Sequence, residues 1–108
     1  MDDTLLLTAR GEIDRACEPD LNRLLDSLPI TLSDLVLDMQ DVRFMDVTGL
    51  HFLCDLHQRT ARRHTRLHTR GWQAQPRYLL HAAVHLNMQG QDLNTVVRAA
   101  LERSQGPS

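Results

Sequence analysis

The chain has 108 residues, enough for one hydrophobic core and not two. Apolar residues make up 42%, charged residues 24%, and the formal net charge is −2, values of a folded globular domain rather than a disordered one. No apolar run approaches the roughly 20 residues of a membrane span, and the acidic start Met1-Asp2-Asp3 lacks the form of a secretory signal, so a cytoplasmic location is expected.

Leu5-Leu6-Leu7-Thr8-Ala9-Arg10, ended by Gly11, predicts a short buried strand. Ile13-Asp14 leads into a polar turn, and Pro19 sits where a helix takes its first residue. Leu21, Leu24, Leu25 and Leu28 follow at i, i+3, i+4 and i+7, which puts them on one helical face, and Pro29 stops that helix. Leu35 to Met39, apolar on both sides, predicts a central strand followed by a polar loop. Leu50, Leu53, Cys54 and Leu56, with Phe52 nearby, predict a second helix running to about Arg63. Arg66 to Trp72 alternates as a third strand, and Pro76 opens a third helix carrying Leu79, Ala83 and Leu86. A last amphipathic helix is predicted over Gln91 to Arg103, ahead of a frayed tail from Ser104 to Ser108. Strands alternating with helices imply parallel pairing and right-handed crossovers.

The stretch Val42 to Leu50 is a strand exit feeding a helix start. Asp46 suits an N-cap, Thr48 places a hydroxyl in the first turn, and Gly49 permits close approach of backbone or partner. The N–H groups and positive dipole end of such a helix start suit an anion.

Leu37 to Leu50, Leu-Asp-Met-Gln-Asp-Val-Arg-Phe-Met-Asp-Val-Thr-Gly-Leu, resembles the core motif of the STAS family, that of the anti-sigma factor antagonists. Thr8-Ala9-Arg10-Gly11-Glu12-Ile13-Asp14 is similar to that family's Gly-Glu-Leu-Asp turn, and a helix of the expected length lies between the two motifs. The resemblance covers roughly residues 4 to 86. It implies a small α/β domain, a mostly parallel sheet covered by about four helices, starting at the family's second strand and so without the N-terminal edge strand. The family's last strand is hard to find between Leu86 and Leu93.

The resemblance further implies a protein that works by binding rather than catalysis, without a cofactor. Its partner would be an anti-sigma factor, often a serine/threonine kinase of the ATPase-like type, and binding would free a sigma factor for transcription. In the family a hydroxyl directly after the motif Asp receives the phosphate that breaks the complex. Here that position is Val47, which cannot accept phosphate, and Thr48 stands one residue later, about 100° around the helix. Either the protein binds without regard to phosphorylation, or Thr48 is the acceptor. The first is favoured, because a hydroxyl in the first helical turn also has a structural use. The partner surface implied is Asp46, Val47, Thr48, Gly49 and the exposed side of the second helix at His51 and Asp55. Two other roles stay open: a regulatory subunit of a larger lipid-transport or stress-signalling assembly, and a small-molecule or nucleotide-binding module built on Asp46 to Gly49.

Other residues invite sharper readings that have plainer rivals. His81 and His85 have the spacing of two metal ligands on one helix, but no third ligand is placed, so no metal is expected. Asp38, Asp41 and Asp46 lack the Lys of a receiver-type phosphoacceptor site, since the chain has no Lys. Five of the 12 arginines fall between Arg59 and Arg70, which could contact nucleic acid but more simply is a solvated helix end. Cys17 and Cys54 form no CxxC pair and read as thiols, Cys54 being packed on its helix.

Overall fold

The computed structural model describes residues 3 to 85. The helix expected over Gln91 to Arg103, the tail, and any strand between Leu86 and Leu93 lie outside them. Strand β1 spans Thr4–Ile13, followed by a 3₁₀ turn at Arg15–Cys17 and helix α1 at Glu18–Ser27. Strand β2 is Asp34–Met45, helix α2 Val47–Arg62, strand β3 Arg66–Arg70 and helix α3 Ala74–His85. The sheet runs in the order β1-β2-β3 with both pairings parallel, so β1 lies at one edge with no strand beyond it among the described residues. No described helix is long and apolar enough to cross a membrane.

Register sorts the strand residues into rows. Leu5, Leu35 and Leu67 share one row and Leu7, Leu37 and Thr69 the next, and their side chains turn toward the core. The alternating rows, Thr4-Asp34-Arg66 and Thr8-Asp38-Arg70, place acid beside base on the other face. Leu25 and Leu28 of the α1 stripe are buried, as are Leu50, Leu53 and Leu56 of α2, which is why these two helices close over the sheet.

The expected polar loop after Met39 is instead strand. β2 continues to Met45 against β1, with register shifts between Thr8 and Arg10 and between Gly11 and Glu12. Those irregularities break the alternation on which a strand reading relies. β3 pairs only with Asp34 to Asp38, so beyond that point β2 has a strand neighbour on one side among the described residues, and Gln40, Asp41 and Arg43 are exposed. β1 likewise runs past Gly11, which adopts φ +82° within the strand. α3 begins at Ala74, ahead of Pro76, and β3 ends at Arg70, ahead of Trp72. Pro19 is the second helical residue of α1 rather than the first.

The Arg59 to Arg70 run is largely consumed by the chain's own acceptors. Arg59 donates to the Leu25 carbonyl at 3.2 Å and pairs with Asp26 at 3.1 Å, while Arg63 donates to the Leu28 carbonyl at 3.2 Å. Arg70 meets the buried Asp38 carboxylate at 3.3 Å, and Arg66 meets Asp34 at 2.9 Å. Four of the five arginines are thus held by partners within the domain, where a solvated helix end was expected, and Arg66 and Arg70 lie on β3 rather than on the helix.

Asp34 also accepts from His68 Nε2 at 2.9 Å, and the His68 hydrogen bond followed by that of Arg66 holds its carboxyl below the usual carboxylate range. A folded value below the unfolded one stabilises the native state at pH above the ordinary carboxylate value, about 3.9, and the contribution is lost as pH falls through the folded value. Asp34→Asn should therefore lower stability at neutral pH and flatten the acid limb, its gap from wild type shrinking below about pH 4 in urea titrations at stepped pH.

Candidate functional site

The loop between β2 and α2 is fixed from three sides. The Asp46 N–H donates to the Ile13 carbonyl at 3.1 Å, tying it to the end of β1. The Asp46 carboxylate accepts from the Thr48 N–H at 2.8 Å, and its carbonyl accepts from the Gly49 N–H at 3.0 Å, so the expected N-cap is formed. On the preceding residue, the Met45 N–H donates to Gln75 Oε1 at 2.9 Å while Gln75 Nε2 donates to the Met45 carbonyl at 3.0 Å. The Gln75 amide thus pairs with Met45 as another strand would, and binds the start of α3 to the loop. Gln73 of the same turn donates to the Gln40 carbonyl.

Gln75 is a positioning residue that sequence reading missed. It sits 30 residues from its partner, and its amide resembles any exposed glutamine in sequence. Gln75→Leu strips the partners from both polar groups of fully buried Met45. It should cost about 2 kcal/mol in urea unfolding, with the Met45 amide losing hydrogen-exchange protection.

Of the six residues expected to form the partner surface, Asp46 is half-buried and the other five divide into an exposed and a buried set. Val47 is 45% exposed, and Phe44, three residues earlier, is 41% exposed, so two large apolar side chains flank the fixed loop. His51 and Asp55 are exposed one and two turns along α2. Thr48 and Gly49 are buried. The close approach Gly49 permits is internal: a Cβ there would lie 2.7 Å from Met45 Sδ and 3.0 Å from Met45 Cβ.

Between the first turns of α1 and α2 runs a cleft of about 170 Å³. Glu18, Asn22, His51 and Asp55 border it, Thr48 lies within it, and Phe52 lines its apolar part. The expected affinity of the helix start for an anion is opposed here. Asp46 occupies the Thr48 and Gly49 N–H groups, and the Glu18 and Asp55 carboxylates stand beside the opening. Among the described residues no group of three or more His, Cys, Asp or Glu side chains could hold a metal ion. Cys17 and Cys54 are not disulfide-linked.

A parallel sheet whose central strand ends in a capped Asp-Val-Thr-Gly helix start, beside the Gly-Glu-Ile-Asp segment that closes β1, fits the small α/β domain the sequence resemblance implied. The STAS domain model matches residues 1–100, and the chain belongs to that family. A sulfate transporter family protein from Wolinella succinogenes has a similar structure, with a TM-score of 0.67 and 21% identity over 94% of this chain and 75% of that one. The STAS domain of a SulP transporter from Vibrio cholerae is similar at a TM-score of 0.62 and 19% identity, over 94% of this chain and 72% of that one. No curated protein matches the sequence.

Proposed function

We propose that this STAS domain is a non-catalytic binding module of the anti-sigma factor antagonist kind, acting in the cytoplasm on an anti-sigma factor through the Asp46-Val47 face. The observation that carries the reading is a loop held by both neighbouring elements that leaves apolar Val47 exposed at the first position of α2. A fixed loop loses little entropy on binding, and an exposed apolar anchor gains from being covered. Phosphorylation does not control it: Val47 has no hydroxyl, and Thr48, 8% exposed, is out of a kinase's reach without opening the helix start.

Native mass spectrometry of the protein with anti-sigma kinases of its own genome, with and without ATP, tests this. The expected result is a complex that persists with ATP and gains no phosphate, while Val47→Ser gains one phosphate and dissociates. Dissociation of the wild-type complex as one phosphate appears would overturn the constitutive reading and move the switch to Thr48.

A second reading has its own support. Two of the structural relatives are a sulfate transporter family protein and the STAS domain of a SulP transporter, and the same face would serve a domain that regulates a transport assembly. Stable co-purification with a membrane transporter, and no complex with any anti-sigma factor, would favour it. A nucleotide pocket at the helix start is disfavoured by size, since about 170 Å³ falls below the ~300–1,000 Å³ typical of small-molecule sites.

A further inference from the structure

Thr48 is more than nine-tenths buried, yet its hydroxyl makes no hydrogen bond to any described residue. Buried polar groups are nearly always paired, so an unpaired hydroxyl on a residue that lines the cleft is open to a partner from outside, which it can meet as acceptor. Two further acceptors border the same cleft. Glu18 and Asp55 have no ion pair among the described residues. Asn22 adds an amide carbonyl, and Phe52, 5% exposed, offers an aromatic surface between the helices.

We propose that this cleft takes up one arginine side chain of the protein that binds the Asp46-Val47 face. The inference rests on the binding role proposed above and names the partner's chemistry. Three features select arginine. The acceptors lining the cleft come from two helices, Glu18 and Asn22 from α1 and Thr48 and Asp55 from α2, and suit a planar fork of five N–H donors better than a point-like ammonium. The apolar and aromatic lining suits the methylenes and the flat guanidinium. A volume of about 170 Å³ is room for one long side chain and lies below that of a typical small-molecule site, ~300–1,000 Å³.

The test is a titration of ¹⁵N-labelled full-length protein with N-acetyl-argininamide, and separately with N-acetyl-lysinamide. Saturable amide shifts confined to Glu18–Asn22 and Thr48–Asp55 are expected, with the lysine compound about tenfold weaker. The double variant Glu18→Gln, Asp55→Asn changes only exposed side chains and should weaken arginine uptake at least about tenfold. Thr48→Val keeps the shape, removes the acceptor and should weaken uptake as well. Absence of saturable shifts, equal response to the two compounds, or uptake unchanged in the double variant would overturn the proposal. A partner complex indifferent to the double variant would overturn it too, while leaving the binding role intact. Arginine uptake without any partner complex would support the cleft chemistry and sink only the binding role.

Discussion

Gly71→Ala should destabilise the domain by about 3 kcal/mol, among the largest effects open to a single methyl group. Gly71 holds φ +74° directly after β3, where any side chain is strained. The space is also taken: an added Cβ would lie 2.8 Å from the Gln40 backbone nitrogen and 2.9 Å from Asp38 Oδ1. Neither atom can move cheaply. The Asp38 carboxylate accepts from the Gln40 N–H at 3.0 Å and is buried under Arg70, so a shift would break a buried charge pair. Urea unfolding should show the loss, and thermal unfolding a midpoint lower by roughly 10–20 °C. A loss under 1 kcal/mol would mean that the turn after β3 can be rebuilt without glycine.

The second large effect falls on binding and leaves the fold alone. Val47→Asp places a charge on the exposed apolar anchor at the first helical position, where an acidic residue complements the helix dipole. Stability should stay within about 0.5 kcal/mol of wild type. Affinity for the partner should fall by about 2 kcal/mol, near thirtyfold, because a desolvated apolar contact is replaced by a charge that must be stripped of water. Isothermal titration calorimetry against the partner found by mass spectrometry would measure it. Unchanged affinity would move the contact surface away from the loop, and with it the explanation of why a hydroxyl-free residue is tolerated there.

Much of the architecture was legible in the residues. The four-leucine stripe of α1 and the Leu50-Leu53-Leu56 stripe of α2 have a helical period and few competing signals, and both helices lie where that period put them. The Asp46 cap was equally readable, because an acceptor side chain before a helix needs no distant partner. What escaped was set by pairing. The second half of β2 owes its strand conformation to β1, and its register shifts erased the alternation that would have revealed it. Nothing local marked Asp38 as a buried carboxylate, because the Arg70 that pairs with it is 32 residues away. In the candidate site, Val47, His51 and Asp55 were legible as exposed positions of one helix. Glu18, Asn22 and Gln75 were not, because only tertiary packing brings α1 and α3 to that helix start.

The arginines that α2 lends to α1 set an order on how the chain can acquire its structure. The last carbonyls of a helix need outside donors. Here the Leu25 and Leu28 carbonyls receive them from Arg59 and Arg63, side chains 34 and 35 residues downstream. On a ribosome, where residues are added at about 5–20 per second, the end of α1 is made seconds before the groups that close it. Until then α1 is a ten-residue segment, below the ~12–15 residues at which a lone helix holds its shape in water. The half of the domain synthesised first therefore waits for the second half, and the polypeptide commits to its native state as a unit.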